Sequence, residues 1–288
     1  MIEVLDAGAL LTVQDLGRPG YAHLGVSRSG AADALAAVRA NTLVGNQATD
    51  AVLETTLTGA VLRFTDAATV ALTGTAGPAF VGDVPAPMNR PVRLGAGQVL
   101  EIAPPERGLR TYVAVRGGID VPAVLTSRST DTLSGIGPAP LQPGDRLSIG
   151  ESTPASATLF DAGGTPVPEV TDPGTVLALK ALAGPRADWI HEAHAVADHT
   201  YTVTAESNRV GMRVDGPALE WARTEELASE GVVAGAIQVP PSGLPVFFLA
   251  DHPTTGGYPV IGVLTDEAVA LAAQCAPGQR VRIDLRDA

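Results

Sequence analysis

Short β-like runs follow one another along this chain between turns that carry glycine or proline, and that spacing leaves little room for anything but a β-rich fold. Val61-Leu62-Arg63-Phe64, Thr69-Val70-Ala71-Leu72, Val99-Leu100-Glu101-Ile102 and Thr111-Tyr112-Val113-Ala114-Val115 read as strands. So do residues 176–179, 201–204 and 280–283, and two apolar runs, 245–250 and 260–264, read as buried strands. The 32 glycines and 23 prolines interrupt helical periodicity almost everywhere. Two stretches escape. Residues 31–44 place Leu35, Val38, Thr42 and Leu43 on one side, with Ser29 positioned to cap, and residues 265–274 open on Thr265-Asp266-Glu267. The expected class is mainly β with a few helices.

One pattern recurs three times. Leu94-Gly95-Ala96-Gly97-Gln98-Val99-Leu100-Glu101-Ile102 matches Leu141-Gln142-Pro143-Gly144-Asp145-Arg146-Leu147-Ser148-Ile149, and Cys275-Ala276-Pro277-Gly278-Gln279-Arg280-Val281-Arg282-Ile283 matches both. Each is a turn with glycine before Gln or Asp, then an alternating strand. The recurrence predicts that similar strands close successive β units. Residues 151–175, rich in Ser, Thr, Ala, Gly and Pro, read as a linker or a long surface crossing. The expected division is residues 1–155 and residues 156–288, with chain crossings between the two allowed.

Composition excludes several function classes. No apolar run approaches the ~20 residues that span a bilayer, and Met1-Ile2-Glu3-Val4-Leu5-Asp6 lacks the basic start of a signal peptide. Cys275 is the only cysteine, so no internal disulfide can form and a cytoplasmic location is expected. The net charge of -12 argues against nucleic acid and anionic membranes as partners. A small anion is still compatible, given a local arginine cluster. Lys180 is the single lysine beside eighteen arginines. The chain therefore has no lysine-bearing phosphate loop and no Met-Lys-Met biotin-attachment site. Arginine suits bidentate recognition of carboxylate or phosphate. A genomic base bias explains the same excess, and both readings stay open.

Polar segments without strand or helix periodicity are the candidate site. Asp251-His252-Pro253-Thr254-Thr255-Gly256-Gly257-Tyr258-Pro259 joins two buried strands and offers an acid, two hydroxyls and paired glycines, more than a hairpin turn needs. Thr12-Val13-Gln14-Asp15-Leu16-Gly17-Arg18 runs on to Ser29-Gly30-Ala31-Ala32-Asp33. Ser29 and Asp33 either present amides to an anion or simply cap the adjoining helix. Arg116-Gly117-Gly118-Ile119-Asp120 precedes Ser127-Arg128-Ser129-Thr130-Asp131, where an arginine between hydroxyls suits an oxyanion. Glu206-Ser207-Asn208-Arg209-Val210-Gly211 and Ile237-Gln238-Val239-Pro240-Pro241 complete the set; Gln238 lies in an apolar run and is either buried glue or a ligand contact. His191, His194 and His199 lack the spacing of helical zinc ligands, so no metal is expected. No Gly-x-Ser-x-Gly elbow is present.

Taken in order, these motifs, with Asn41-Thr42-Leu43-Val44-Gly45-Asn46, resemble the biotin-dependent carboxyltransferase-like family that contains KipA, the C subunit of 5-oxoprolinase and allophanate hydrolase subunit 2. The resemblance covers about residues 8–283. It implies two cyclophilin-like β-barrel subdomains and a role as the C subunit of an ATP-dependent hydrolase that opens the lactam of 5-oxoproline to glutamate. It further implies a KipI-like B subunit (allophanate hydrolase subunit 1) and a third subunit as partners. ATP is expected with or on a partner, and biotin, if used, on a separate protein. On this resemblance Asp15, Arg128 and Asp251 are the expected catalytic groups. Gln14, Arg18, Ser29, Asp33, Ser127, Ser129, Thr130, Ser207, Asn208, Arg209, Gln238, Thr254, Thr255, Gly256, Gly257 and Tyr258 are the expected substrate contacts. Two other roles fit the same family: a carboxyltransferase half of a urea or allophanate pathway, and a regulatory partner of a histidine-kinase inhibitor. The chain departs from the family pattern at Pro253, at Ala139-Pro140 and at Ala32.

Overall fold

The three recurrent segments share one backbone geometry. In each, the residue after the glycine donates its amide to a carbonyl three positions back: Gln98 to Gly95 at 3.2 Å, Asp145 to Gln142 at 3.1 Å and Gln279 to Ala276 at 3.0 Å. The intervening Gly97, Gly144 and Gly278 have φ of 80°, 96° and 89°, the left-handed value that the third position of a type II turn requires. A Cβ on any of them would meet nothing within 4 Å, so the dihedral alone selects glycine. Their amides donate to Phe64, Val4 and Val203 carbonyls of neighbouring strands, which sets the register of the strand that each turn leads into.

The computed structural model describes residues 1–151, 174–223 and 225–286. The chain divides into two compact units, Met1–Arg18 with Ser29–Val170, and Pro19–Arg28 with Thr171–Ala288. The boundary expected at residue 155 lies outside the described residues.

The first unit contains β1 (Ile2–Asp6), β2 (Leu10–Gln14), β3 (Val52–Thr56), β4 (Ala60–Phe64), β5 (Ala68–Thr73), β6 (Ala79–Val81), β7 (Val84–Pro85), β8 (Pro91–Leu94), β9 (Val99–Ile102), β10 (Arg110–Val115), β11 (Ile119–Asp120) and β12 (Arg146–Ile149). They form a seven-stranded sheet, β11-β12-β1-β4-β9-β6-β7, and a five-stranded sheet, β2-β3-β10-β5-β8. Leu53, Leu72 and Val113 of the second sheet join Ile2, Leu62 and Phe64 of the first in one core. The alternate residues Val52, Ala71, Tyr112 and Ala114 face the other way and are covered by α1 (Ala34–Val44) through Ala36, Ala40 and Leu43. With both faces covered, β10 is buried at every position, which is why its sequence runs apolar rather than alternating.

The helix starts later than its periodicity predicts. Asp33, not Ser29, is the N-cap: its carboxylate accepts the Ala36 amide at 2.9 Å. Ser29 has φ 52° and Gly30 φ 100°, and a Cβ on Gly30 would come within 2.8 Å of the Gly17 nitrogen. Those two residues serve a close backbone approach, so the helix cannot begin there. At the other end, the Gly45 and Asn46 amides return to Thr42 and Asn41 carbonyls in a Schellman closure. Asn46 then reaches Val115 O at 2.8 Å and accepts the Gly117 amide at 2.9 Å. The Asn41–Asn46 motif is thus a latch between α1 and the end of β10.

The second unit contains β13 (Leu177–Ala183), β14 (Tyr201–Val203), β15 (Gly211–Asp215), β16 (Glu230–Gly231), β17 (Ala236–Gln238), β18 (Val246–Phe248), β19 (Thr255–Gly256), β20 (Val260–Leu264), α2 (Asp266–Ala273) and β21 (Arg280–Arg286). Seven strands close into a barrel, β13-β20-β17-β18-β15-β14-β21, and β16 with β19 makes a small ribbon. Closure comes from parallel pairing of β13 with β21, Leu177 opposite Val281 through Leu182 opposite Arg286. Leu179, Met212, Ile237, Phe247, Ile261 and Ile283 fill the interior. Thr265 caps α2, accepting the Ala268 amide. The mostly-β reading holds. The closed barrel belongs to the second unit, and the strands of the first gather as two sheets.

Tyr201 is fully buried in this barrel core, and burial pushes its phenol up to about 12. Unfolded tyrosine ionises near ~10. The raised folded value means its contribution to stability is complete below pH ~10 and is lost as pH rises towards ~12. The wild-type protein should therefore lose more stability between pH 9 and 11 than Tyr201→Phe does, as measured by urea unfolding. Equal losses in both would remove Tyr201 from the alkaline limb.

Candidate functional site

In the first unit, the end of β2 and the segment around residue 129 are tied through one carboxylate. Asp15 Oδ1 accepts from Ser127 Oγ at 2.7 Å, Ser129 Oγ at 2.5 Å and the Gly17 amide at 2.7 Å; Oδ2 accepts the Arg128 amide at 2.6 Å. The Asp15 amide in turn donates to Ser129 Oγ at 3.1 Å, and the Ser129 amide to Ser127 Oγ at 3.0 Å. The Thr130 amide donates to Val13 O, extending β2 by one more pairing. Arg18 is fully buried and donates to the Ser129 carbonyl. Ser29 Oγ and Gln14 Nε2 both donate to Thr130 O, at 3.3 and 3.0 Å. The structure thus gathers Gln14, Asp15, Arg18, Ser29, Ser127, Ser129 and Thr130 into one buried cluster.

Two acceptors in this cluster lack donors. Gln14 Oε1 and Thr130 Oγ1 are buried with no hydrogen-bond partner among the described residues. The Gln14 amide cannot simply flip, because its nitrogen must face the Thr130 carbonyl. A desolvated acceptor of this kind costs about 1–3 kcal/mol unless a donor is supplied. Arg128 is the one cluster residue whose side chain reaches solvent, at 42% exposed. Its Nε donates to Val121 O at 2.8 Å and one terminal nitrogen to Asp120 at 3.2 Å, leaving further N–H donors of the guanidinium outward.

Asp33 stands apart from this cluster as the helix cap. Its amide donates to the Tyr112 hydroxyl at 2.7 Å. Beneath it, Glu54 Oε2 accepts the Ala32 amide at 2.9 Å, and Glu54 Oε1 lies 3.6 Å from Arg110 Nε, both side chains buried. Burial foremost, then the nearby Glu54 and Asp33 charges, holds the Tyr112 phenol well above its ordinary range. Sequence reasoning missed Glu54, Arg110 and Tyr112. The signal was present as charged residues inside otherwise apolar strands, but their meeting depends on the β3–β10 register, Glu54 opposite Tyr112.

In the second unit, Arg209 and Asp251 form a buried bidentate pair: Nε to Oδ2 at 2.9 Å and a terminal nitrogen to Oδ1 at 3.0 Å, with side chains 1% and 0% exposed. The Asp251 amide also donates to Arg209 O. Asn208 Oδ1 accepts the Val210 and Gly211 amides, and Ser207 Oγ bonds both backbone groups of Arg213, so these two residues shape the turn before β15. Gln238 is buried and donates to Tyr258 O at 3.0 Å. Gly256 lies against it, and a Cβ there would come within 2.6 Å of Gln238 Nε2 and push that side-chain amide aside. Thr254 O accepts the Val232 amide, Thr255 pairs with Gly231, and Gly257 and Tyr258 are exposed. Tyr258 stacks edge-on with Trp221, and Trp221 with Trp189. The ring of His199 lies 3.3 Å from the Tyr201 hydroxyl. Among the described residues no group of three or more His, Cys, Asp or Glu is arranged to hold a metal, and no helix is long and apolar enough to cross a membrane.

Comparison with known proteins matches residues 24–285 to the family described as carboxyltransferase domain, subdomain A and B. The chain is 36% identical to the C subunit of 5-oxoprolinase from Escherichia coli (strain K12), over 98% of this chain and 90% of that one. It is 32% identical to the C subunit of 5-oxoprolinase from Haemophilus influenzae, over 99% and 91%. Among solved structures, the K. lactis urea amidolyase superposes with a TM-score of 0.89 at 29% identity, covering 98% of this chain and 18% of that larger enzyme.

Proposed function

Because the chain belongs to the family of carboxyltransferase domains with subdomains A and B, we propose that it is the C subunit of a heteromeric 5-oxoprolinase, opening the lactam of 5-oxoproline to glutamate. The observation that carries this reading is similarity: the chain is 36% identical to a relative named as the C subunit of 5-oxoprolinase, against 31% for a relative named urea amidolyase. A subunit name implies partners, and a KipI-like B subunit with a third subunit is the proposed set.

The chemistry suits a division of labour. A lactam carbonyl is a poor electrophile, and phosphorylation of its oxygen by ATP would supply a leaving group. The clusters described above do not fit ATP. Arg209 is committed to Asp251, Arg18 is fully buried, and Lys180 lies within β13, opposite Asp284 in the backbone register. We place ATP on a partner and assign no step of it to this chain. What this chain contributes is substrate positioning. Arg128 presents outward guanidinium donors that suit the substrate carboxylate. Asp15, which accepts from four donors, positions the segment that carries Arg128. Asp251 holds Arg209 in the same supporting way.

The test is reconstitution. Purified chain mixed with its partners should release glutamate from 5-oxoproline in an ATP-dependent manner. Absence of glutamate from every reconstituted mixture overturns the reading, and carboxybiotin-dependent turnover of urea would transfer the chain to the carboxyltransferase role. In the active mixture, Arg128→Ala should raise the KM for 5-oxoproline roughly tenfold while leaving the melting temperature of the chain nearly unchanged. An unchanged KM would return Arg128 to an ordinary surface residue.

A further inference from the structure

We propose that the first unit carries a second small-molecule site, built on its five-stranded sheet, for an anion bearing two negative charges on oxygen. Strands β8 and β5, with the residue that follows β10, put Arg93, Thr69 and Arg116 in one row. Thr69 of β5 is directly opposite Arg93 of β8. On its other side Val115 of β10 is opposite Val70, and the Arg116 amide donates to Thr69 O at 2.8 Å. Directly opposed residues share a face with Cβ atoms roughly 5 Å apart, so the two arginines flank the threonine with Cβ atoms roughly 10 Å from one another. That is close enough for both guanidinium groups to converge on one ligand, and far enough to leave room for it.

The row borders a solvent-open cavity of about 320 Å³, lined by Ala67, Ala68, Thr69, Arg93, Leu94, Arg116 and the Gly150 backbone. Small-ligand pockets begin at roughly this size. Neither arginine makes an ion pair among the described residues, although acids outnumber bases in this chain, which carries a net charge of -12. The acids nearest to Thr69 and Arg116 along the chain are occupied. Asp66 is held by the amino terminus and Thr65, and Asp120 by Arg128. Two like charges on one face of a sheet repel, and a bound dianion would relieve that repulsion while the threonine hydroxyl donates between them. The Arg116-Gly117-Gly118 turn is held in place for this. Asn46 accepts the Gly117 amide, and Gly117, at φ 99°, packs its Cα so tightly that a Cβ would come within 2.2 Å of Gly150 O.

A free phosphate group and a short dicarboxylate share this chemistry. Calorimetric titration of the full chain at low ionic strength with inorganic phosphate and, separately, with succinate distinguishes them. At least one should bind. Arg93→Gln and Arg116→Gln should each weaken that binding about tenfold, and Thr69→Val by a smaller factor. Arg128→Ala should leave it unchanged, which separates this site from the one proposed for the lactam. The anion-free Arg93→Gln protein should melt no lower than wild type, showing that its loss of affinity is not loss of fold. No binding of either probe at millimolar concentration, or affinity unaltered in both arginine variants, overturns the proposal.

Discussion

Arg209→Ala and Asp251→Ala should each destabilise the second unit by about 3–5 kcal/mol, because either change strands a charge that the barrel has removed from water. Both side chains are essentially inaccessible, and their two hydrogen bonds are of ordinary length. The double alanine variant should cost clearly less than the sum of the singles, since the second change removes the stranded charge. Replacing the pair by Arg209→Met with Asp251→Leu should come close to wild-type stability. Trp189 and Trp221 are the only tryptophans and both lie in the second unit. Their fluorescence in a urea titration therefore reports this unit alone. A single-variant loss below ~1 kcal/mol would show that the pair is solvated in practice.

The second large effect is expected at Asp15. Asp15→Ala removes an acceptor from two serine hydroxyls and two backbone amides. Hydroxyls can rotate to new partners but the amides cannot, so the net cost should be about 3 kcal/mol. The signature is local. Amide exchange at Arg128 should accelerate, because its acceptor is Asp15 Oδ2. Asp15→Asn keeps the shape and one oxygen. If that oxygen stays with the serines, the new NH2 faces the Arg128 amide, donor against donor. Exchange at Arg128 should then rise nearly as much as in the alanine variant even though overall stability falls less. Unchanged exchange in both variants would break the claim that Asp15 holds this segment.

Strands were legible in the sequence because burial on both faces or alternation wrote itself into short runs. Residues 99–102 coincide with β9, and residues 111–115 lie within β10. The type II turns were legible because glycine is the residue that their third position tolerates. The start of α1 was not, because Ser29 is a good cap by composition while its backbone serves a different contact. Among polar residues, the sequence picks out Asp15, Ser127, Arg209 and Asp251 as unusual but says nothing of who bonds whom. Asp15 and Ser129 are 114 residues apart and meet by tertiary structure alone. The pairing of Glu54 with Arg110 was hidden for the same reason. Each looks like a solvated charge until strand register places both under α1.

The pairing of β13 with β21 has a consequence for how the protein is made. Leu177 waits for Val281, about a hundred residues later, before the barrel has its last hydrogen-bonded seam. At roughly 5–20 residues per second, a ribosome leaves β13 with an open edge on the order of ten seconds. During that interval the exposed backbone of Leu177–Ala183 is a template for any other nascent strand. Lys180 and the small Ala178, Ala181 and Ala183 break up Leu177, Leu179 and Leu182 along it, which makes that waiting edge a poorer partner for strangers.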